Sequence, residues 1–259
     1  MSAKVTAIFL LALAGCRSGS ATVPEARADE PASSSKGVAV VELFTSEGCS
    51  SCPPADDVLG DLARTSERPV YALAFHVDYW DDLGWPDRFA SHENTMRQRA
   101  YARAFGTGGV YTPQMIVGGT EQFTGSDRDR ATAAIVRALS HPADVELAVR
   151  PHPSGPDAVT VDVDAPGAPS GAVLNLAIVE RSASTAVRAG ENAGKTLRHA
   201  NVVRVFRAAP FRAPAGSVVL QLPPSLPRDG AELIAYLQQS SSDHGGMPIL
   251  GAARAQLPH

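Results

Sequence analysis

Two cysteines three residues apart, Cys49 and Cys52, separate an apolar run from a segment with helical periodicity. The run over residues 38–44 predicts a buried strand of the kind found in parallel sheets. Apolar residues recur at helical spacing over residues 55–65, directly after a Pro-Pro pair. Both thiols therefore belong in a short turn between a strand and the start of a helix, which restricts this part of the chain to a layered α/β fold.

The rest of the first half continues the alternation of strands and helices. A second apolar run, a helical segment, two short runs around a Gly-Gly turn and a last helical segment follow at residues 70–77, 87–105, 114–117, 120–123 and 127–139. The predicted order β-α-β-α-β-β-α makes residues 38–141 one compact α/β domain.

From residue 144 the pattern changes to alternating apolar and polar residues, as at 145–149 and 159–163. Such alternation is typical of half-buried strands, and turn residues separate several further runs of this kind. We therefore expect residues 144–259 to form a separate β-rich domain, sandwich-like in architecture. A chain of 259 residues accommodates two domains of these sizes.

The first sixteen residues have the features of an export signal. Residues 5–14 are apolar apart from Thr6, a run too short to span a bilayer, which requires about 20 residues. The sequence Leu-Ala-Gly-Cys ending at Cys16 resembles the site at which bacterial lipoproteins are cleaved and acylated. An ordinary signal peptide cut after Ala14 is the alternative, but it leaves Cys16 as an unexplained odd thiol.

The following segment, residues 17–37, is rich in Ala, Ser, Pro and Glu and lacks aromatic residues, which predicts a flexible tether. Arg17 directly after Cys16 favours the outer membrane under the usual sorting pattern of lipoproteins. We therefore expect a lipid-anchored protein of the bacterial cell envelope that faces the periplasm, where disulfides form and persist.

The composition excludes two classes of protein. Hydrophobic residues make up 44% and charged residues 19% of the chain, which does not fit a disordered protein. The net charge of −4 supplies no basic excess to bind phosphates, so no nucleic-acid partner is expected. The sequence does not indicate an oligomeric state.

The spacing of Cys49 and Cys52 allows a disulfide, but so short a loop contributes little entropic stabilisation. Redox exchange and metal binding remain as reasons for the pair. Zinc usually takes four ligands, the predicted folded part contains no third cysteine, and no two of the seven histidines lie three to five residues apart. We therefore favour thiol–disulfide chemistry and predict neither a resident metal nor an organic cofactor. Copper(I) transfer through both thiols and His76 stays open as an alternative.

A strand is followed by the two cysteines and a helix, and Thr112-Pro113 then precedes a hairpin and a last helix. Over residues 38–139 this order of elements resembles the thioredoxin fold. The resemblance implies a cis Pro113 against the disulfide and a Thr112 that offers backbone groups to an extended substrate chain. It also implies an exposed Cys49 that attacks the substrate and a Cys52 that resolves the mixed disulfide.

The whole chain more narrowly resembles a secreted thioredoxin-like family catalogued as domain of unknown function 1223. The residues that carry the resemblance are 42–56, 76–81, 84–85, 97–102, 111–115, 190–194, 197, 199 and 201–204. This family has no established activity, so the resemblance supplies a fold and candidate residues rather than a reaction.

Three polar residues are candidates for proton transfer. Glu42 lies in the first strand, near the position where thioredoxins keep a buried acid, although a strand-edge glutamate in water is the alternative. His76 and Asp78 end the second strand, at the edge where α/β sheets collect their active sites. A hydrogen-bonded structural histidine is the alternative at His76.

Other polar and aromatic residues have two interpretations each. Tyr79, Trp80 and Trp85 either line the cleft or pack a loop. We expect the arginines of the helix over residues 87–105 to form a solvated face rather than an anion site, and the polar group of the second half to stabilise a turn rather than to bind a ligand. These residues are Arg97, Arg99 and Arg103, and Glu191, Asn192, His199, Asn201 and Arg204.

The leading hypothesis is an envelope thiol–disulfide oxidoreductase that acts on cysteines of other exported proteins. The alternative is a lipoprotein that binds or assembles a partner on a thioredoxin-like scaffold without catalysis.

Overall fold

A computed structural model of the chain describes Met1 and residues 36–65, 69–240 and 245–258. The predicted signal peptide, the lipid attachment site Cys16 and the tether up to residue 35 lie outside the described residues. The described residues from Lys36 onwards belong to one compact unit. None of the helices in these ranges is long and apolar enough to cross a membrane.

The unit contains three α-helices and eleven strands among the described residues. The helices are α1 (Pro53–Thr65), α2 (His92–Phe105) and α3 (Arg128–Ser140). The strands are β1 (Ala39–Thr45), β2 (Val70–His76), β3 (Gln114–Val117), β4 (Glu121–Thr124), β5 (Ala148–Pro153), β6 (Ala158–Asp164), β7 (Val173–Ala186), β8 (Thr196–Pro210), β9 (Ala215–Gln221), β10 (Ala231–Gln238) and β11 (Ile249–Gln256). The chain is therefore α/β, and its first seven major elements follow the predicted order.

Strands from both halves of the chain form one sheet of eight, in the order β11-β10-β7-β8-β2-β1-β3-β4. β1 and β2 are parallel, and β8 pairs in parallel with the other edge of β2. β2 is buried at every residue, so its second edge requires a strand partner. The sheet is therefore continuous across the boundary expected near residue 142, and four strands of the second half extend it.

A smaller sheet of three strands, β5-β6-β9, covers one face of the second half. Its apolar residues pack against alternate residues of β7 and β10, with Val161 and Leu220 meeting Leu176 and Leu233. Two packed layers of strands give this half the sandwich-like character that the alternating sequence pattern indicates.

The two faces of β1 have different covers because successive side chains of a strand point in opposite directions. Val41 and Leu43 pack with α1 and α3, whereas Val40 and Phe44 pack with α2 and with strands of the second half. Glu42 therefore faces the α2 side. Thr45, at the end of the strand, faces the α1 side.

Glu42 belongs to a buried ion pair rather than to the surroundings of the cysteines. Arg97 Nε of α2 donates to Glu42 Oε1 at 2.6 Å, and the hydroxyls of Tyr101 and Tyr236 also donate to this carboxylate. Arg97 is only 9% exposed, so the expectation that it belongs to a solvated arginine face is wrong, whereas Arg99 is exposed. The charge of Glu42 balances Arg97, and Tyr236 ties both to the second half of the chain.

Replacing Arg97 with alanine leaves the Glu42 carboxylate buried without its counter-ion. We expect Arg97→Ala to lower the free energy of unfolding by about 3–5 kcal/mol. Urea denaturation at pH 7 measures this loss. The matched control is Arg99→Ala in the same helix, which should change stability by less than about 0.5 kcal/mol. Equal effects of the two substitutions would contradict the assignment of a buried pair.

Candidate functional site

Cys49 and Cys52 form a disulfide at the start of α1, with their Cα atoms 5.5 Å apart. The amides of Ala55 and Asp56 donate to the Cys52 carbonyl at 2.8 and 3.1 Å, so the first turn of α1 begins at the disulfide itself. The pair therefore lies between a strand and a helix, as the spacing in the sequence predicts.

Both cysteines are 0% exposed, whereas Ser50 and Ser51 between them are exposed. The structure thus differs from the expectation of an exposed Cys49. The turn that joins β7 to β8, residues 187–195, which we call the β7–β8 turn, lies against the loop that carries them.

The β7–β8 turn is hydrogen-bonded directly to the disulfide loop. The side-chain amide of Asn192 donates to the carbonyls of Glu47 and Cys49, both at 2.9 Å. Glu191 Oε2 accepts from the backbone amide of Ser50 at 2.9 Å. Asn192 is completely buried, so its two hydrogen bonds are shielded from water. Hydrogen bonds from Asn192, far along the chain, therefore hold the disulfide loop in place.

Thr112 and Pro113 are joined by a cis peptide bond, as the resemblance implies. Gly125 lies between this proline and α1: its amide donates to the Pro113 carbonyl at 3.0 Å, and an added Cβ would stand 3.0 Å from Ala55 Cβ and 3.5 Å from Pro113 Cβ. The proline thus lies beside the helix that begins at the disulfide.

Trp80 connects the proline to the disulfide loop. Its indole Nε1 donates to Thr112 Oγ1 at 2.8 Å. Its Cβ lies 3.3 Å from the point where a Cβ on Gly48 would stand, so a glycine before Cys49 allows this close approach. Of the two interpretations of Trp80, the structure supports a wall of the disulfide region.

Six buried polar residues lie on the α1 side of the sheet, next to the disulfide loop. We call them the buried polar cluster: Thr45, Glu47, Asp56, His76, Asp87 and His199. They come from β1, the disulfide loop, α1, β2, the loop before α2 and β8, so the fold collects them from both halves of the chain.

His76 and Asp87 are the best-anchored members of this cluster. His76 Nδ1 lies 2.6 Å from Asp87 Oδ2, and the backbone amides of Glu47 and Phe89 also donate to the Asp87 carboxylate. Burial opposes ionisation of Asp87, but His76 and the two amides outweigh it and lower its pKa to about 2. Burial likewise disfavours charged His76, and the Asp87 carboxylate overcomes this and raises the His76 pKa.

His199 stands between two carboxyl groups. Its Nε2 lies 3.4 Å from Glu47 Oε1, its Nδ1 lies 3.9 Å from Asp56 Oδ2, and its ring centroid is 4.8 Å from that of His76. Burial raises the pKa of Asp56 to about 6, although His199 and His76 pull it the other way. Trp85 Nε1 donates to Glu47 Oε2 at 2.8 Å and so fixes that carboxylate.

The remaining predicted site residues lie elsewhere. Asp78 is bonded to Thr95 and His92 near the surface, away from the cluster. Glu42 occupies the ion pair on the α2 side. Of the polar group in the second half, Glu191, Asn192 and His199 reach the disulfide region, whereas two members do not: Asn201 donates to the Ala72 carbonyl, and Arg204 pairs with Glu180.

Sequence reasoning did not single out Glu47, Asp56 or Asp87. Glu47 and Asp56 flank the two cysteines within the motif at residues 42–56, which is a signal that was available. Asp87 lies in an irregular loop and reaches His76 only through the tertiary fold, so no spacing in the sequence marks it.

A family model described as "Protein of unknown function (DUF1223)" matches residues 40–238, which is most of the chain. The chain belongs to this family. Among curated proteins no match is found. The match spans the disulfide loop, the cis-proline and the β7–β8 turn, so the DUF1223 region includes the complete candidate site.

Two solved structures resemble this DUF1223 protein. One is a crystal structure of a protein from Agrobacterium tumefaciens with 31% sequence identity and a TM-score of 0.63, and the match covers 86% of this chain and 99% of that one. The other is HBP35 of Porphyromonas gingivalis, with 14% identity and a TM-score of 0.59, covering 86% of this chain and 76% of that one. At 14% identity the second likeness concerns the fold alone.

Removing the Asn192 side-chain amide should open access to the disulfide. The two hydrogen bonds that Asn192→Ala deletes contribute about 0.5–1.5 kcal/mol each, so we expect reduction by dithiothreitol to accelerate about tenfold. Alkylation of the released thiols and their mass shift follow the rate. The control is Arg188→Ala at an exposed position of the same turn, which should leave the rate unchanged. An unchanged rate in Asn192→Ala would show that the turn does not limit access.

Proposed function

We propose that this DUF1223 protein is a thiol–disulfide oxidoreductase whose reacting pair is Cys49 and Cys52. The observation that supports this most is the closed disulfide at the first turn of α1, the helix beside which Pro113 lies. A helix N-terminus favours a nearby negative charge, so this position stabilises a thiolate relative to a thiol in water.

The proposed exchange takes place in two steps. In the reducing direction, the Cys49 thiolate attacks one sulfur of a substrate disulfide, which forms a mixed disulfide and releases the other substrate sulfur as a thiolate. The Cys52 thiolate then attacks Cys49 sulfur and releases the second substrate thiolate. The substrate gains two electrons, and the protein ends with the Cys49–Cys52 disulfide. Oxidation of a substrate dithiol is the same sequence in reverse.

In the proposed reaction the β7–β8 turn, which is hydrogen-bonded to the disulfide loop, moves so that a substrate reaches the buried sulfurs. The groups that this movement frees are polar: the amide of Ser50, now bound to Glu191, and the carbonyl of Cys49, now bound to Asn192. An extended substrate chain beside Thr112 can take over these hydrogen bonds. The turn therefore occupies the place of a substrate in the closed protein.

The proposed substrates are cysteines of other exported proteins, and the proposed location is the bacterial cell envelope. The export signal and the lipid attachment at Cys16 that the sequence predicts support this location. We propose an anchor in the outer membrane with the folded unit in the periplasm.

A scaffold that binds or assembles a partner is the second candidate function. The observation that favours it is the complete burial of both cysteines under a hydrogen-bonded turn. Copper(I) transfer is a third hypothesis; it requires the reduced pair and the free Nε2 of His76, because Nδ1 is bonded to Asp87.

Single cysteine substitutions test the proposed roles. Cys49→Ser should abolish thiol–disulfide exchange with an insulin substrate, because it removes the attacking thiolate. Cys52→Ser should instead accumulate a mixed disulfide with exported proteins, because nothing resolves it. Turnover assays and non-reducing gels measure the two outcomes.

The control for these variants is Arg99→Ala, an exposed position on α2 outside the disulfide loop, which should retain exchange activity. Wild-type turnover by Cys49→Ser would refute the redox proposal. In that case, capture of one stoichiometric partner by both the wild type and Cys49→Ser would establish the scaffold.

A further inference from the structure

The buried polar cluster contains an unusual concentration of unpaired atoms. Within the described ranges, five buried side-chain polar atoms have no hydrogen-bond partner, and all five belong to the cluster: Thr45 Oγ1, Glu47 Oε1, His76 Nε2, His199 Nδ1 and His199 Nε2. Buried polar atoms are almost always paired, so unpaired ones gathered in one place indicate a bound water or ion.

The charges of the cluster distinguish between these two occupants. It contains three carboxyl groups, on Glu47, Asp56 and Asp87, and only two imidazoles. With neutral imidazoles the ionised carboxylates form an uncompensated buried negative charge, which is very costly. A divalent cation with neutral imidazole ligands offsets two of these three charges, as protons on both histidines also would. Water alone does not.

The arginine side chains on neighbouring elements bind groups outside the cluster. Arg88 donates to Thr185 Oγ1 and to the Ser184 carbonyl, and its guanidinium lies on the ring of Phe89. Arg204 pairs with Glu180. These contacts leave the carboxylates of the buried polar cluster without a guanidinium partner in the described residues.

The separation of His199 and Glu47 matches that of two ligands of one metal ion. His199 Nε2 and Glu47 Oε1 are 3.4 Å apart and are not hydrogen-bonded. Two atoms that each lie about 2.0–2.1 Å from one tetrahedral ion are separated by about 3.4 Å. The His76 and His199 rings are 4.8 Å apart at 81°, so both can turn a nitrogen towards a common ion.

The supporting contacts are also those of a metal centre. His76 Nδ1 faces the Asp87 carboxylate at 2.6 Å, which leaves Nε2 as the ligand atom. Trp85 holds Glu47 Oε2 and leaves Oε1 unpaired. Metal-binding histidines and carboxylates generally have such hydrogen-bonded partners, which fix their orientation and tautomer.

We propose that the buried polar cluster binds one divalent transition-metal ion through His76 Nε2, His199 Nε2 and Glu47 Oε1. Imidazole and carboxylate ligands suit an ion such as Zn²⁺. In the described parts of the chain, no three histidine, cysteine or acidic side chains already surround one point, so the ligands close in on binding. Since His199 follows the β7–β8 turn, the ion links that turn to the disulfide loop. The unpaired atoms and charges that indicate an ion here do not depend on the proposed redox function.

Titration with Zn²⁺ tests the proposal on the complete, chelator-treated protein with its disulfide intact and Cys16 blocked by alkylation, so that no thiol competes. Isothermal calorimetry at pH 7 should show one ion bound per chain. Binding should release protons, detected by comparing buffers of different ionisation enthalpy. His76→Gln and His199→Gln should each weaken binding at least about 100-fold, and Asp87→Asn about 10- to 100-fold.

The matched control is His92→Gln, which removes an exposed histidine outside the cluster and should leave binding unchanged. Circular dichroism verifies that each variant is folded, and Glu47→Gln replaces any histidine variant that is not. Absence of a stoichiometric site in the folded wild type would overturn the proposal in favour of protonated imidazoles. Binding that survives in folded His76→Gln and His199→Gln would overturn it by placing the ion elsewhere.

Discussion

The parallel pairing of β2 with β8 is the contact on which the arrangement of the site depends. It joins the second half of the chain to the free edge of the first and aligns Ala74 with Val202. The β7–β8 turn, which precedes β8, is hydrogen-bonded to the loop that follows β1. His199 and Asn192 reach the disulfide region only because of this pairing. The site therefore belongs to the complete folded unit rather than to the first half alone.

Because side chains alternate along β1, two buried charged groups lie on opposite faces of the sheet although their residues are close in the sequence. Glu42 faces α2 and balances Arg97, whereas Thr45 faces α1 and the buried polar cluster. The first group has complete hydrogen bonding and stabilises the junction between the halves. The second retains unpaired atoms beside the disulfide loop. An ion pair whose hydrogen bonds are all formed has a structural role, whereas a buried cluster with unpaired polar atoms indicates a binding site.

The parts of the site that could be predicted from the sequence are those set by local spacing. The Cys49–Cys52 turn lies between an apolar run and a helical segment, and the Thr112-Pro113 pair precedes a hairpin, so both could be placed before the structure was known. The contacts of Cys49 could not, because its carbonyl is bound by Asn192, 143 residues later in the chain. Arg97 illustrates the same limit: helical spacing marks its helix, but the buried carboxylate that it faces comes from another strand.

The central claim is that the disulfide is a working redox couple despite its cover. The most direct measurement is the equilibrium of the Cys49–Cys52 pair in glutathione buffers of graded potential, approached from both the oxidised and the reduced protein and read by alkylation mass shift. The account predicts reversible equilibration between about −120 and −270 mV, the range of known exchange proteins. A pair that remains oxidised across this range in the folded protein would contradict it and would make the disulfide part of a scaffold.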